Sequence, residues 1–271
     1  MSTTTAPLGG YSRPGGEVPD KSDIRAALSC WRGYVQGDPD VVFEVHLALG
    51  ANVWGRSFHQ ARAHPNGRRV FQEKPDILKK LRDDAYLATL SAGTVGHAYR
   101  AFLTVNRLDA GIYDEGSIVR PLAEKNNWDE DYYYYIMRVT ALHDLVHVIT
   151  GYGPDLAGEV IAIGFTCGQM EPASPLRQIG YAMAAGVPGA SLPHKLRVYR
   201  QAVERGRRAD KLAVAPWEDL LDKPLGDVRS LLGIAPMAQA HPRGTWYTTW
   251  TPRGADPLSR WDYDAIIAST A

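Results

Sequence analysis

The sequence predicts an all-α fold, a single helical domain packed around one long buried helix. Three observations carry that prediction. Alternating strand patterns are nearly absent, apolar residues recur at three- and four-residue spacing in successive segments, and the stretch from Tyr132 to Ile149 is apolar or aromatic at nearly every position. A helix that is hydrophobic around most of its circumference belongs at the centre of a protein. With 271 residues, 45% hydrophobic and 22% charged, the chain can build one sizeable core or two small ones. Thirty basic and thirty acidic residues cancel. That balance argues against a nucleic-acid footprint over the surface, and no aromatic-basic repeat supplies one locally.

Residues 1–20 are rich in Thr, Gly and Pro and read as a disordered tail ahead of a helical domain over 21–237. They have neither the charged-then-apolar order of a secretory signal nor the arginine-rich pattern of an organelle presequence. The expected location is therefore the bacterial cytoplasm. No apolar run reaches the ~18 residues a membrane-spanning helix needs, so any contact with the inner membrane face is expected to be peripheral. From Ser22, residues Ile24, Ala27, Leu28, Trp31 and Val35 fall on one helical face, and Gly37 ends it. Asp38-Pro39 opens a second helix as N-cap and first residue. Trp54 to Ala63 reads as a third, stopped by the turn string His64-Pro65-Asn66-Gly67. Pro75-Asp76 starts a short helix, and Thr94 caps another that carries Tyr99 and Phe102 inward. Val95, Gly96 and Tyr99 either wall an apolar channel or mark close helix packing at glycine.

The central helix starts at Asn127, an N-cap with Glu130 as capping-box partner, and meets no Gly or Pro before Gly151. At 100° per residue, His143 and His147 point the same way, about 40° apart, and Asp144 lies between that face and the next. Tyr132, Ile136 and Thr140 line the same side in earlier turns. The helix must stop at Gly151-Tyr152-Gly153-Pro154, and Asp155 caps a second helix whose first turn holds Glu159. Folding that helix back gives two imidazoles and two carboxylates, His143, Asp144, His147 and Glu159, around one cavity. That ligand set admits zinc, iron(II), manganese and cobalt. It shares only its histidine spacing with the His-Glu-x-x-His zinc helix, because Asp144 is one methylene shorter than the glutamate base there.

Val160 to Met170 continues as an apolar helix, and Ile179 to Ala185 is a small-residue stretch that leaves room for tight packing or for a lipid tail. Leu192 to Arg205 is amphipathic, with Tyr199, Ala202 and Val203 inward and Lys195, Arg197, Arg200 and Arg205 outward. Gly206 ends it, and Arg207-Arg208 form a basic patch suited either to a lipid phosphate or anionic membrane, or to the dipole of a helix end. Trp217 to Leu232 reads as a helix pair, and residues 238–271 as a C-terminal arm. Cys30 and Cys167, with no CxxC spacing, read as reduced thiols, Cys167 as a small buried residue.

His143-Asp144-x-x-His147 followed by eleven residues and Glu159 resembles the metal motif of the Coq-four family, the fourth of the numbered coenzyme Q (ubiquinone) biosynthesis proteins. The likeness extends from about residue 70 to about residue 235. Phe71-Gln72-Glu73-Lys74-Pro75, Gly93-Thr94-Val95-Gly96-x-x-Tyr99 and Phe102-Leu103-x-Val105-Asn106-Arg107 resemble its segments before the metal helix. Gly158-Glu159-Val160 to Gln169, Gly206-Arg207-Arg208-Ala209 and Trp217-Glu218 to Leu232-Gly233-Ile234 resemble those after it. The four-tyrosine run and Thr166, where many relatives carry a glutamate, depart from the pattern.

The resemblance implies ubiquinone biosynthesis, through one of two roles. One is an enzyme that replaces the ring C1 carboxylate of a polyprenylated 4-hydroxybenzoate-type acid with a hydroxyl by oxidative decarboxylation. The other is a scaffold that gathers the biosynthetic enzymes around a prenyl lipid. A related enzyme acting on a different aromatic substrate is the third reading. In the enzyme reading a divalent metal (Zn, Fe, Mn or Co) sits on His143, Asp144, His147 and Glu159, or Asp144 instead orients a histidine without touching the ion, and His143, Asp144 and Tyr132 act in catalysis, Tyr132 as proton donor. Tyr99, Ile136, Thr140, Arg207 and Arg208 then meet the substrate or lipid. The implied partners are that aromatic acid or prenyl lipid, other quinone-biosynthesis enzymes, an anionic membrane surface and a second copy of the chain.

Overall fold

The computed structural model describes residues 11–29, 39–110, 119–170 and 175–248. Among them the fold is all-α, with no strand and only two isolated bridges, Glu17 with Trp128 and Thr94 with Pro224. The expectations for Met1 to Gly10, Cys30, Trp31, Val35, Gly37, Asp38 and residues 249–271 lie outside the described residues. The chain divides into two compact units, Met1–Arg82 with Ala110–Leu142, and Asp83–Asp109 with His143–Ala271.

In the first unit, α1 (Ile24–Ser29) buries only Ala27, and Ile24 and Leu28 are exposed, contrary to the inward face expected of them. Helix α2 runs unbroken over Pro39–Ala63, where two helices were expected. Glycine inside it has a packing reason: a Cβ at Gly55 would meet the Pro19 carbonyl oxygen at 2.3 Å. The string from His64 ends α2 and at once begins α3 (Pro65–Glu73), with His64 as N-cap accepting from the Asn66 N–H and proline at the first position. Helix α4 (Ile77–Arg82) follows an Asp76 cap, which accepts from the Lys79 N–H at 3.0 Å. Helix α7 spans Val119–Lys125 and α8 Glu130–Ala141. Residues 11–20 are not a loose tail. Tyr11 is buried, its hydroxyl donates to the Trp128 carbonyl, and Glu17 exchanges backbone hydrogen bonds with Asn127 and Asp129.

The long central helix of the sequence reading is interrupted. Its cap is Asp129, which accepts from the N–H groups of Asp131 and Tyr132, while Asn127 adopts a left-handed φ of 52°. Helix α8 closes at Leu142, and α9 runs over His143–Thr150. No glycine or proline makes that break. The Thr140 hydroxyl donates back to the Ile136 carbonyl at 2.8 Å, a bond that loosens the last turn, and the Leu142 N–H reaches the carbonyls of Arg138 and Thr140.

The second unit holds α5 (Asp84–Ala88), α6 (Val95–Asn106), α9, α10 (Leu156–Gln169), α11 (Pro175–Gly186), α12 (Leu192–Arg208), a 3-10 turn (Leu212–Val214), α13 (Trp217–Leu220), α14 (Leu225–Leu231) and α15 (Met237–Ala240). Thr94 caps α6 as predicted. Helices α10 and α12 lie so close that glycine is required at the crossing: a Cβ at Gly168 would meet the Val203 oxygen at 2.1 Å, and one at Gly206 the Phe165 oxygen at 2.0 Å. Gly206 therefore sits inside α12 and does not end it. The small residues of α10 serve tight packing. Gly96 likewise admits close approach, its N–H donating to the Leu221 carbonyl at 2.8 Å.

Lys195 and Arg205, expected on the outer face of α12, are 6% and 5% exposed. Their charges end on main-chain carbonyls. The Lys195 ammonium donates to the Ala185 and Val187 oxygens at the end of α11, and Arg205 donates to the Thr150 oxygen at 2.8 Å and to that of Ala235. The Ala185, Val187 and Thr150 oxygens lie at the negative ends of helix dipoles, which accept a buried cation that water no longer solvates.

Candidate metal centre

Helix α9 carries His143 and His147 one turn apart, so both imidazoles leave the same face. The chain then reverses through Gly151, whose φ of 79° only glycine adopts without strain, and Asp155 caps α10 by accepting from the Ala157 N–H at 3.0 Å. Gly158 makes the reversal tight, since a Cβ there would meet the Gly153 oxygen at 1.9 Å. Glu159, the next residue, is thereby returned to the histidines.

The three donor atoms form a nearly equilateral triangle. His143 Nε2 and His147 Nε2 are 3.4 Å apart, and Glu159 Oε2 lies 3.3 Å from the first and 3.4 Å from the second. Tetrahedral zinc with bonds of ~2.0–2.1 Å separates its ligands by about 3.3–3.4 Å. The residues therefore fit one divalent cation. Among the described residues this is the cluster of three such groups able to hold a metal.

The surroundings orient these atoms. His147 is 1% exposed and donates from Nδ1 to the Tyr152 carbonyl at 3.2 Å, which leaves Nε2 as the free lone pair. Phe102 of α6, fully buried, stacks on the His147 ring at 5.7 Å and 17°. Burial opposes charge on His143, but the Glu159 carboxylate outweighs it, with Asp144 adding, and holds the imidazole up at about 9. Burial likewise opposes charge on Glu159, and His147 and His143 overcome it, keeping the acid well below the usual carboxylate range. A cation entering here would take the place of a proton.

Of the four ligands read from the sequence, three converge and Asp144 does not join them. It follows His143 directly, so its side chain leaves the helix about 100° away. It is half-buried and acts on His143 through its charge. Tyr99 is buried on α6, one turn before Phe102. Arg207 and Arg208 are exposed at the end of α12 and both pair with Glu204 at 2.7 Å. Tyr132, Ile136 and Thr140 belong to α8 in the first unit. There Tyr132 packs edge-on against Trp128 and Phe58, and burial, with Tyr135 nearby, pushes its phenol further up, so it keeps its proton. The Thr140 hydroxyl is taken by the Ile136 carbonyl.

Sequence reasoning missed the contacts of four residues beside this centre, Arg205, Arg229, Tyr152 and His241. Arg229 donates to the Ile149 carbonyl at 2.9 Å and to that of Val148, joining Arg205 in capping the end of α9. The Tyr152 hydroxyl bonds His241 Nε2 at 2.9 Å. Their only sequence signal was one of composition: cations inside otherwise amphipathic helices, and a tyrosine between two glycines.

A family profile described as Coenzyme Q (ubiquinone) biosynthesis protein Coq4 matches residues 39–238. The ubiquinone biosynthesis protein COQ4, mitochondrial, of Podospora anserina is 29% identical over 63% of this chain and 54% of its own length. The mitochondrial COQ4 homologue of Mus musculus is 27% identical over 65% of this chain and 64% of its own. The chain thus spans between about half and two thirds of these curated relatives. Their mitochondrial names overturn the expected bacterial cytoplasmic location. No helix among the described residues is long and apolar enough to cross a membrane. A crystal structure from Nostoc punctiforme PCC 73102 superposes with a TM-score of 0.58 at 22% identity, covering 78% of this chain and 96% of that one, and shares the fold.

Proposed function

We propose, from the premise that this chain belongs to the Coq4 family of coenzyme Q (ubiquinone) biosynthesis proteins, that it performs a metal-dependent step on the aromatic ring of a quinone precursor. The reading rests on one observation, the 3.3–3.4 Å triangle of His143 Nε2, His147 Nε2 and Glu159 Oε2. In the proposed reaction the C1 carboxylate of a polyprenylated 4-hydroxybenzoate-type acid leaves as carbon dioxide and one atom of dioxygen takes its place as a hydroxyl, the other atom leaving as water with two electrons and two protons from an external two-electron reductant. A bound divalent cation supplies Lewis-acid polarisation and a template for the substrate's carboxylate or phenolic oxygen. His147, locked by the Tyr152 carbonyl, and Glu159 define where that oxygen binds. Phe102 excludes water from the inner side of His147. Asp144 favours the charged form of His143 and so holds a proton at that imidazole until the site is loaded.

The experiment is element analysis and mass spectrometry of the organic extract of the purified chain, paired with complementation of a ubiquinone-deficient strain. About one divalent cation per chain is expected, and His143→Ala His147→Ala should lose both cation and complementation. Full complementation by that double variant would sink the catalytic reading in favour of a prenyl-lipid scaffold. Wild-type protein that binds metal yet fails to complement would point to a different aromatic substrate.

A further inference from the structure

The loop between His147 and Glu159 is covered along its length by the C-terminal arm, most of which lies beyond the residues the family profile matches. Gly151 lies against Met237, whose Cβ would be 3.6 Å from a Cβ placed there. The Tyr152 hydroxyl bonds His241 Nε2 at 2.9 Å. Asp155 Oδ1 accepts from the Thr248 N–H at 2.8 Å and from its hydroxyl at 3.3 Å. Met237 and, beyond it, the arm residues His241 and Thr248 thus meet three loop residues in matching chain order. His241 and Thr248 are 2% and 6% exposed, so neither bond competes with bulk water.

Each contact leads to a ligand. Tyr152 holds His147 Nδ1 through its carbonyl, and Asp155 caps the helix whose first turn carries Glu159. His241 is itself fixed: Gln201 Oε1 lies 3.2 Å from its Nδ1, and burial, with Arg205 and His194 adding, pushes its pKa down to about 4. The neutral ring donates from Nδ1 to Gln201 and accepts at Nε2 from the Tyr152 hydroxyl.

We propose that His241 and Thr248 are positioning residues for the metal centre, acting through Tyr152 and Asp155, so that the arm straps the loop and sets the separation of His147 from Glu159. The proposal rests on the metal reading above. Outer contacts of this kind change metal affinity by about 10- to 100-fold when removed.

Cobalt(II) titration of the full chain, read by visible absorption and by competition with a chelator, tests it. Tyr152→Phe keeps the ring and the carbonyl and removes only the hydroxyl. It and His241→Ala should each weaken Co(II) binding about tenfold and shift the absorption bands. The double variant should be no weaker than the worse single one, because both break the same bond. His241→Gln, with an amide oxygen to accept from Tyr152, should recover most of the affinity, and Thr248→Val should weaken it less than His241→Ala. Dissociation constants within twofold of wild type in Tyr152→Phe and His241→Ala, whatever their melting temperatures, would overturn the strap. If the wild type takes up no Co(II), the metal reading fails separately. The strap is then judged by hydrogen exchange over Gly151 to Glu159: faster exchange in Tyr152→Phe supports it, and unchanged protection overturns it.

Discussion

The two ends of α9 treat charge in opposite ways. At its C-terminus the carbonyls of Val148, Ile149 and Thr150 receive the guanidiniums of Arg229 and Arg205, both almost wholly buried. At its N-terminus His143, with His147 one turn on, faces Glu159, and 35% of the His143 side chain and 22% of the Glu159 side chain are exposed. Structural charge here is met by fixed backbone dipoles. The charges of His143 and Glu159 are stabilised by each other and by neighbouring ionisable groups, which an external ligand can replace. That contrast separates the part of the helix that holds it in place from the part that can do chemistry.

The sharpest break of the contrast is at the capped end. Arg205→Met takes the guanidinium from the buried Thr150 carbonyl and the half-buried Ala235 carbonyl and also removes the cation above the Tyr152 ring. Unsatisfied groups of this kind cost about 1–3 kcal/mol each, so a loss of about 3 kcal/mol is expected from urea unfolding. His143→Ala should shift the same midpoint far less while abolishing Co(II) uptake. Equal stability losses in the two variants would erase the distinction between the ends.

A pH series sharpens it next. His241 is held near 4 in the folded chain against about 6.5 unfolded. Between those values the unfolded chain binds more protons, so stability is full above pH 6.5 and falls as pH drops towards 4. The loss is about 1 kcal/mol by pH 5.5 and about 2 kcal/mol by pH 5. His46, held near 4 by burial, adds a slope of the same sign and His143, held up at about 9, one of opposite sign, so in urea midpoints measured from pH 7.5 to 5 His241→Gln should remove only this residue's share of the slope. An equal slope in that variant would place the acid sensitivity elsewhere.

How much of this was legible in the sequence follows from range. His143, His147 and Glu159 were readable because helical spacing, a glycine-proline turn and an aspartate cap are all local signals, and together they brought the triad within one short loop. The interruption at Leu142 was not readable. A threonine back-bond leaves no mark that a helix-breaker count detects. Arg205 and Lys195 were placed outward because amphipathicity assigns cations to solvent, whereas their acceptors include carbonyls 55 residues away for Arg205. Ile24 and Leu28 follow an apolar spacing that the described fold leaves exposed. Residues 238–271 were read as an arm, but what they touch was not legible, because the segment has no periodicity and meets the loop only through the single contacts of His241 and Thr248.

A smaller effect concerns the packing behind Glu159. In an isolated helix Gly206→Ala would favour α12 by about 1 kcal/mol. Here the new Cβ would stand 2.0 Å from the Phe165 carbonyl oxygen, a backbone atom that cannot turn aside. Overpacking should win, with a net loss of about 1–2 kcal/mol, and Co(II) affinity should change little if the strap rather than the α10–α12 crossing sets the ligand spacing.

The smallest expected effect is at the exposed cations one turn on. Arg207 and Arg208 share Glu204, and the Arg207 hydrogen bond, with Arg208 and charge attraction adding, holds that acid down at about 2. All three are solvated, and exposed ion pairs of this kind contribute little because water and salt screen them. Arg207→Ala Arg208→Ala should leave the thermal midpoint unchanged within error and Co(II) binding intact. A role in meeting an anionic membrane surface would show only as weaker co-sedimentation with phosphatidylserine vesicles, reversed by salt. A midpoint drop of several degrees would instead mean that solvated cations support the fold as the buried ones do, and the rule drawn from the two ends of α9 would not extend along α12.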